Sequence, residues 1–413
     1  MTVSATAAPS ATAAADPADR RLSIAFINWA HAIDHFVILI YPTVVIALQA
    51  VYGDSYSTLI YIATASFVAF GLFSLPAGWL GDHWSRRNMM TVFFFGVGVS
   101  LIAVALSPSL FVLGFALFAL GLFAAIYHPV GTAMIVEAAT QRGRTLAFNG
   151  VCGNLGVALA AGITAALTAA ISWRGAFFVP GVICLATAAV YFWLVPDEKR
   201  HAAARSKAPD VALSPLLAAT IFVLFVVVAL SAGLVFNTIS VALPKIVDER
   251  IGNGISLIAV GGLTTAVFLC GALAQLTVGR LVERIQPHIL FATLAVLQFS
   301  GVVWSAFASG ATLLFALAFT MAAIYGQITV NDLLIARYTA DAWRSRIYAV
   351  RYFLTFMISG VAVSMIALLY GRGGFGLVLG VTALIAMGFL FAAIMIAILA
   401  NGVEKARLPQ PAE

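Results

Sequence analysis

From Leu22 to Ala400 the chain is a succession of apolar runs about 20 residues long, separated by short polar breaks. Each run is long enough to cross a hydrocarbon core of roughly 30 Å as a helix. The pattern predicts twelve spans: 22–50, 56–80, 88–107, 110–138, 143–171 and 174–195, then 214–244, 255–281, 287–307, 310–338, 343–370 and 374–400. The longest polar interruption, "VPDEKRHAAARSKAPD" from Val195 to Asp210, separates six spans from six. The expected protein is therefore an all-α integral membrane protein of two six-helix bundles, 22–195 and 214–401. A cytoplasmic linker, 196–213, joins them, and tails 1–21 and 402–413 flank them.

Composition agrees with a bilayer environment. Hydrophobic residues make up 62% of the chain and charged ones 9%, with a mean hydropathy of +1.05, far more apolar than a soluble domain requires. The first twenty residues lack a basic cluster and an apolar core, so they are expected to be a disordered tail rather than a signal peptide. Cys152, Cys184 and Cys270 fall within spans without paired or metal-type spacing and read as small core side chains. With both termini inside, 17 of the 22 Lys and Arg fall in cytoplasmic tails and loops, whereas Arg174, Lys245, Arg250 and Arg372 fall outside. This positive-inside bias accounts for the net charge of +6 without nucleic acid as a partner.

The second six spans repeat the first. At an offset of 202 residues Pro42 meets Pro244, Arg142 meets Arg344 and Arg144 meets Arg346; at 201, "GWLGD" from Gly78 falls on "GRLVE" from Gly279 and pairs Asp82 with Glu283. Six-span repeats about a central loop are the architecture of transporters in which two bundles rock around a midplane site.

The unusual chemistry is at "HAIDHF". His31, Asp34 and His35 stand at i, i+3 and i+4, on one helical face that Asn28 extends. Such a stripe is too costly against lipid and is expected to face a cavity between the bundles, where Asp34 with His31 or His35 carries a coupling proton and contacts substrate. His128 precedes Pro129, which frees a backbone carbonyl, and Asn154 sits in the glycine-rich "GVCGNLG"; both are candidate cavity residues. In the second half Asn237, Gln327 and Asn331 supply hydrogen-bonding groups. Arg351 lies deep in its span, either paired with Asp332 or facing the cavity to bind an anion. The imidazoles and Asp34 are also possible transition-metal ligands, although two histidines at i and i+4 are only part of a site and no cysteine joins them; the preferred reading has no resident metal.

"GWLGDHWSRR", Gly78 to Arg87, resembles the loop between the second and third helices of the major facilitator superfamily. Gly78, Leu80, Asp82, Arg86 and Arg87 carry the match, and the resemblance implies a conformational latch built from Gly78, Asp82, Arg86, Arg87 and, in the repeat, Glu283. A narrower resemblance, to fosmidomycin-resistance transporters, rests on His31, Asp34, His128, Pro129, Arg142, Gly143, Gly153, Asn154, Leu155 and Gly156. It departs at Val130, where those relatives carry an acidic residue. The resemblance implies a secondary transporter of the inner membrane, working by alternating access, proton-coupled and in the efflux direction, with a small organic solute as substrate. Proton symport or uniport of an organic anion and transition-metal export are the alternatives. No P-loop, nucleophile elbow or H-E-x-x-H pair is present, so no enzyme and no cofactor is expected, and a chain that encloses its own path is expected to work as a monomer in the lipid bilayer.

Overall fold

The computed structural model describes residues 17–196, 215–252, 254–338 and 341–405; most of the expected linker and the outer parts of both tails lie outside the described residues. Among the described residues every regular element is an α-helix. The first half contains α1 (Pro17–Ile38), α2 (Ile40–Tyr52), α3 (Tyr56–Ile62), α4 (Thr64–His83), α5 (Arg86–Ala105), α6 (Leu110–Ala124), α7 (Tyr127–Ala138), α8 (Arg142–Ala170) and α9 (Gly175–Leu194). The second contains α10 (Pro215–Arg250), α11 (Leu257–Leu281), α12 (Pro287–Phe307), α13 (Gly310–Tyr338) and α14 (Asp341–Lys405). Among the described residues eleven stretches are long and apolar enough to cross a membrane. The last, Phe353–Gly402, has 50 residues, about twice what a 30 Å core needs, and is broken at Gly373 and Gly374. Gly374, at φ 59° and ψ −161°, occupies a region open in practice to glycine alone, so this helix makes two crossings and the total is twelve.

Prolines explain where three predicted spans differ from the structure. Pro42 has no N–H to give the carbonyl of Ile38 and its ring crowds that oxygen, so the first span ends at Ile38 and restarts at Ile40. Pro129 does the same to Ala125, splitting the fourth span between Ala124 and Tyr127. Pro244, the repeat mate of Pro42, is carried inside α10, which continues to Arg250. Lys245 and Arg250, expected in an outer loop, are therefore helical, and Lys245 is buried and paired with Asp248 at 2.7 Å. Serine caps set other starts: Ser55 and Ser256, repeat mates at 201 residues, accept the amides of Thr58 and Ala259.

The surface carries large apolar side chains, Phe111, Phe115, Trp193, Phe307 and Leu384 among them, as a lipid-facing surface must. Cys184 is buried, but Cys270 is on this exposed surface rather than in the core.

The two halves meet along two antiparallel helix pairs. Between α4 and α14, Thr64 bonds Ser364 at 3.3 Å, and Gly71 lets the backbone of Met357 approach. Between α8 and α11, the amide of Gly162 donates to Thr265 at 3.1 Å and Gly261 abuts the carbonyl of Ala161. These interfaces are related by the duplication: Thr64 plus 201 is Thr265, and Gly162 plus 202 is Ser364.

Candidate functional site

Between the halves lies a cavity of about 70 Å³. From the first half it is lined by Asp34, His35, Ile38, Leu39, Phe67, Phe70 and Val157, and from the second by Phe236, Asn237, Ser240, Val241, Thr355, Phe356 and Ser359. Its floor is pseudo-symmetric: Ile38 and Ser240, 202 residues apart, are the two residues whose carbonyls Pro42 and Pro244 leave without a helical donor. Two backbone acceptors are thereby released at matching levels of the two leading helices.

Asp34 is fully buried, and neither carboxylate oxygen has a hydrogen-bond partner. The imidazole beside it is not one of its helical neighbours but His128, whose Nε2 lies 3.3 Å from Oδ2 outside hydrogen-bond geometry. His31 and His35 bond each other instead, Nε2 to Nε2 at 3.1 Å. His31 Nδ1 donates to the carbonyl of Asn149 at 2.8 Å, which assigns its Nε2 as the acceptor from His35. Asn149 also donates to Asn28 Oδ1 and accepts from Tyr127, each at 3.0 Å. Asn28 thus braces α1 on α8 rather than entering the cavity. His31 stacks on Tyr127 with centroids 4.7 Å apart, and His128 packs on Phe356 at the same separation. The three imidazoles can bring ring nitrogens within 4.8 Å of one another, the only such group able to hold a metal among the described residues.

Other expected site residues are distributed elsewhere. Asn154 faces the partner half, where its amide donates to Gln275, whose own amide donates to Thr329 at 3.2 Å. Asn237 reaches the cavity while donating to the carbonyl of Gly233 at 2.8 Å. Gln327 and Asn331 are buried in α13 with one oxygen each unbonded, and they do not line the cavity. Arg351 is ion-paired with Asp332 and lines a separate small pocket with Phe222 and Ile335, entirely in the second half. An Arg351→Gln protein, which loses the ion pair with Asp332, is expected to melt at a lower temperature than the unaltered protein, as read from thermal unfolding.

In the expected latch, Arg86 pairs with Asp82 at 2.8 Å and with Glu137 at 2.5 Å. Arg87 donates to the carbonyl of Val195 at 2.9 Å and sits 4.4 Å over the ring of Phe192. Gly78 admits Pro129, whose Cβ would be 3.1 Å from an added methyl. All these contacts tie α4, α5, α7 and α9 together within the first half, so they stiffen one bundle rather than bridge two. Among the described residues the repeat does not reproduce them: Gly279 faces open space and Glu283 is exposed.

Sequence reasoning missed Asn149, Tyr127, Glu137 and Gln275. A signal for Asn149 existed, since Asn149, Gly153 and Gly156 at i, i+4 and i+7 form a polar and small stripe on α8 that fits against α1.

A duplicated twelve-crossing helical protein whose two halves enclose a mainly apolar cavity with a buried carboxyl group in its wall defines a class of membrane proteins. The sequence profile of the Major Facilitator Superfamily matches residues 24–331, and the chain belongs to that superfamily. The inner membrane metabolite transport protein YdjE of Escherichia coli strain K12 is 32% identical over 124 residues, a match spanning 29% of this chain and 27% of that protein. In fold the chain is similar to a bacterial homolog of the human lysosomal transporter Spinster. Its inward-facing occupied form gives a TM-score of 0.77 at 12% identity over 97% of this chain and 100% of that one. The inward-facing unoccupied form gives 0.73 at 12% identity, over 96% and 100%.

Proposed function

We propose that this protein is a secondary transporter that carries a small solute through the central cavity by alternating access, with the bundles 22–195 and 214–401 as the rocking units. The observation that carries this reading is the cavity itself: Asp34, a buried carboxylate without hydrogen bonds, lines a space enclosed equally by two homologous halves. An ionisable group held that way inside a membrane marks a transport path. The close contacts between α4 and α14 and between α8 and α11 are the ones an opposite state has to break. Superfamily membership and the partial match to a metabolite transport protein support the same reading.

The resemblance of His31, Asp34, His128 and Pro129 to fosmidomycin-resistance transporters supports proton-coupled efflux antiport of a small organic solute as the mode. The distribution of Lys and Arg supports both termini on the cytoplasmic side of an inner membrane, and one chain enclosing the whole cavity supports a working monomer. Proteoliposomes loaded with a panel of small metabolites and drugs test this. Solute efflux is expected only when the pH gradient runs inward, and it should collapse with a protonophore. Flux that ignores the gradient overturns the coupling, and an absence of flux for every solute class overturns transport.

A further inference from the structure

We propose that His31, His35 and His128 form a binding site for a divalent transition-metal ion of the Zn²⁺ class, entered from the central cavity. The inference goes beyond solute transport and holds or fails independently of it.

Three observations support the site. The first is convergence. His31 and His35 come from adjacent turns of α1 and His128 from the start of α7, yet the three rings form a closed triangle with centroids 4.9, 5.3 and 5.4 Å apart. A tetrahedral ion with metal–nitrogen bonds of about 2.0–2.1 Å needs donor nitrogens roughly 3.3 Å apart. His31 Nε2 and His35 Nε2 stand at 3.1 Å, and the ligand nitrogens of all three rings lie within 4.8 Å of one another.

The second is orientation. A ligating imidazole is normally held by a hydrogen bond from its other nitrogen. His31 has this bond already, from Nδ1 to the carbonyl of Asn149, with the amide side chain of Asn149 fixed in turn by Asn28 and Tyr127. Gly153 leaves room for the ring: a methyl there would lie 2.5 Å from Nε2. In the metal-free arrangement His35 Nε2–H donates to His31; on binding, His35 moves that proton to Nδ1 and the ion takes its place between the two nitrogens.

The third is charge. Neutral imidazoles supply none, and a bare dication in a membrane interior is prohibitively unfavourable. Asp34 places a buried carboxylate without hydrogen bonds 3.3 Å from His128, where it offsets half of a double charge. Phe70, Tyr127 and Phe356 wall the cluster, and three protein nitrogens leave the fourth position of a tetrahedral ion to water or an anion from the cavity.

The test uses the full chain, purified in detergent without a polyhistidine tag and stripped with chelator. Equilibrium dialysis is expected to give one Zn²⁺ per chain, Co²⁺ is expected to show the intense visible absorption of a tetrahedral nitrogen site, and Zn²⁺ should raise the melting temperature. His35→Ala and His128→Gln should each weaken binding at least tenfold and remove the Co²⁺ spectrum. His83→Ala, which alters an exposed ring bonded to the carbonyl of Trp79, should bind as the unaltered protein does. The proposal is overturned if the unaltered protein shows neither the Co²⁺ spectrum nor a Zn²⁺-dependent melting shift, measurements that need no variant to fold. It is equally overturned if both histidine variants keep full affinity, or if Mg²⁺ competes on equal terms. Organic-solute flux is measured separately, so loss of metal binding leaves the transport reading standing, and the reverse.

Discussion

Asp34→Asn is expected to reduce gradient-driven solute flux at least tenfold without lowering the amount of folded protein. Asparagine has nearly the same shape, so packing against α7 and the cavity wall is preserved. What disappears is the group able to take up and release a proton, and here the structure makes a second demand: a carboxyl group that is 0% exposed and has no hydrogen bond on either oxygen is a destabilising element kept for another reason. The variant should therefore melt at the same temperature as the unaltered protein or higher, while its transport fails. Reconstituted protein at equal density, assayed under an inward pH gradient, separates the two effects. Flux within twofold of normal would remove Asp34 from the mechanism, and a large drop in melting temperature would show that it is structural.

Gly156→Ala should strongly destabilise the fold. A methyl group at Gly156 would lie 2.1 Å from the carbonyl oxygen of Ala32 and 2.9 Å from its carbon. Neither is the end of a side chain that can swing aside, so α1 and α8 must separate along the seam that holds His31 to Asn149. Overpacking of a core commonly costs about 1–3 kcal/mol, and a clash with backbone belongs at or above the top of that range. Gly150→Ala, six residues away on the same helix with nothing near its added methyl, is the control, and it should be neutral or slightly stabilising because alanine favours helix by about 1 kcal/mol. Comparing the two by thermal unfolding in detergent tests the α1–α8 contact specifically. Equal melting temperatures would mean that the two helices do not approach so closely.

Much of the architecture was legible along the chain because it is dictated by one-dimensional patterns. Apolar runs of sufficient length, Pro42 facing Pro244, and "GWLGD" facing "GRLVE" specify crossings and a duplication without reference to any contact. The stripe of His31, Asp34 and His35 was equally legible, since i, i+3 and i+4 share a face in any helix. The partners were not. Asp34 was expected beside its own helical neighbours, but the helix turns it toward His128, 94 positions further on, while His31 and His35 turn to each other. Asn154 was expected in the cavity and instead spans the seam to Gln275. The same proline produced a break at Pro42 and none at Pro244, a difference that local sequence does not encode.

By itself the sequence determined which segments enter the bilayer and that they come in two related sets, because hydrocarbon offers the backbone no hydrogen bonds and an apolar run of about 20 residues satisfies its own there as a helix. Only the tertiary structure decided which polar side chains share a space. The rotation and height of one helix against another are set by close contacts such as Gly156 on Ala32 and Gly71 on Met357, between residues far apart in the chain. Those contacts, and not any spacing within α1, bring His128 to Asp34 and assign Arg351 to Asp332 instead of to the cavity.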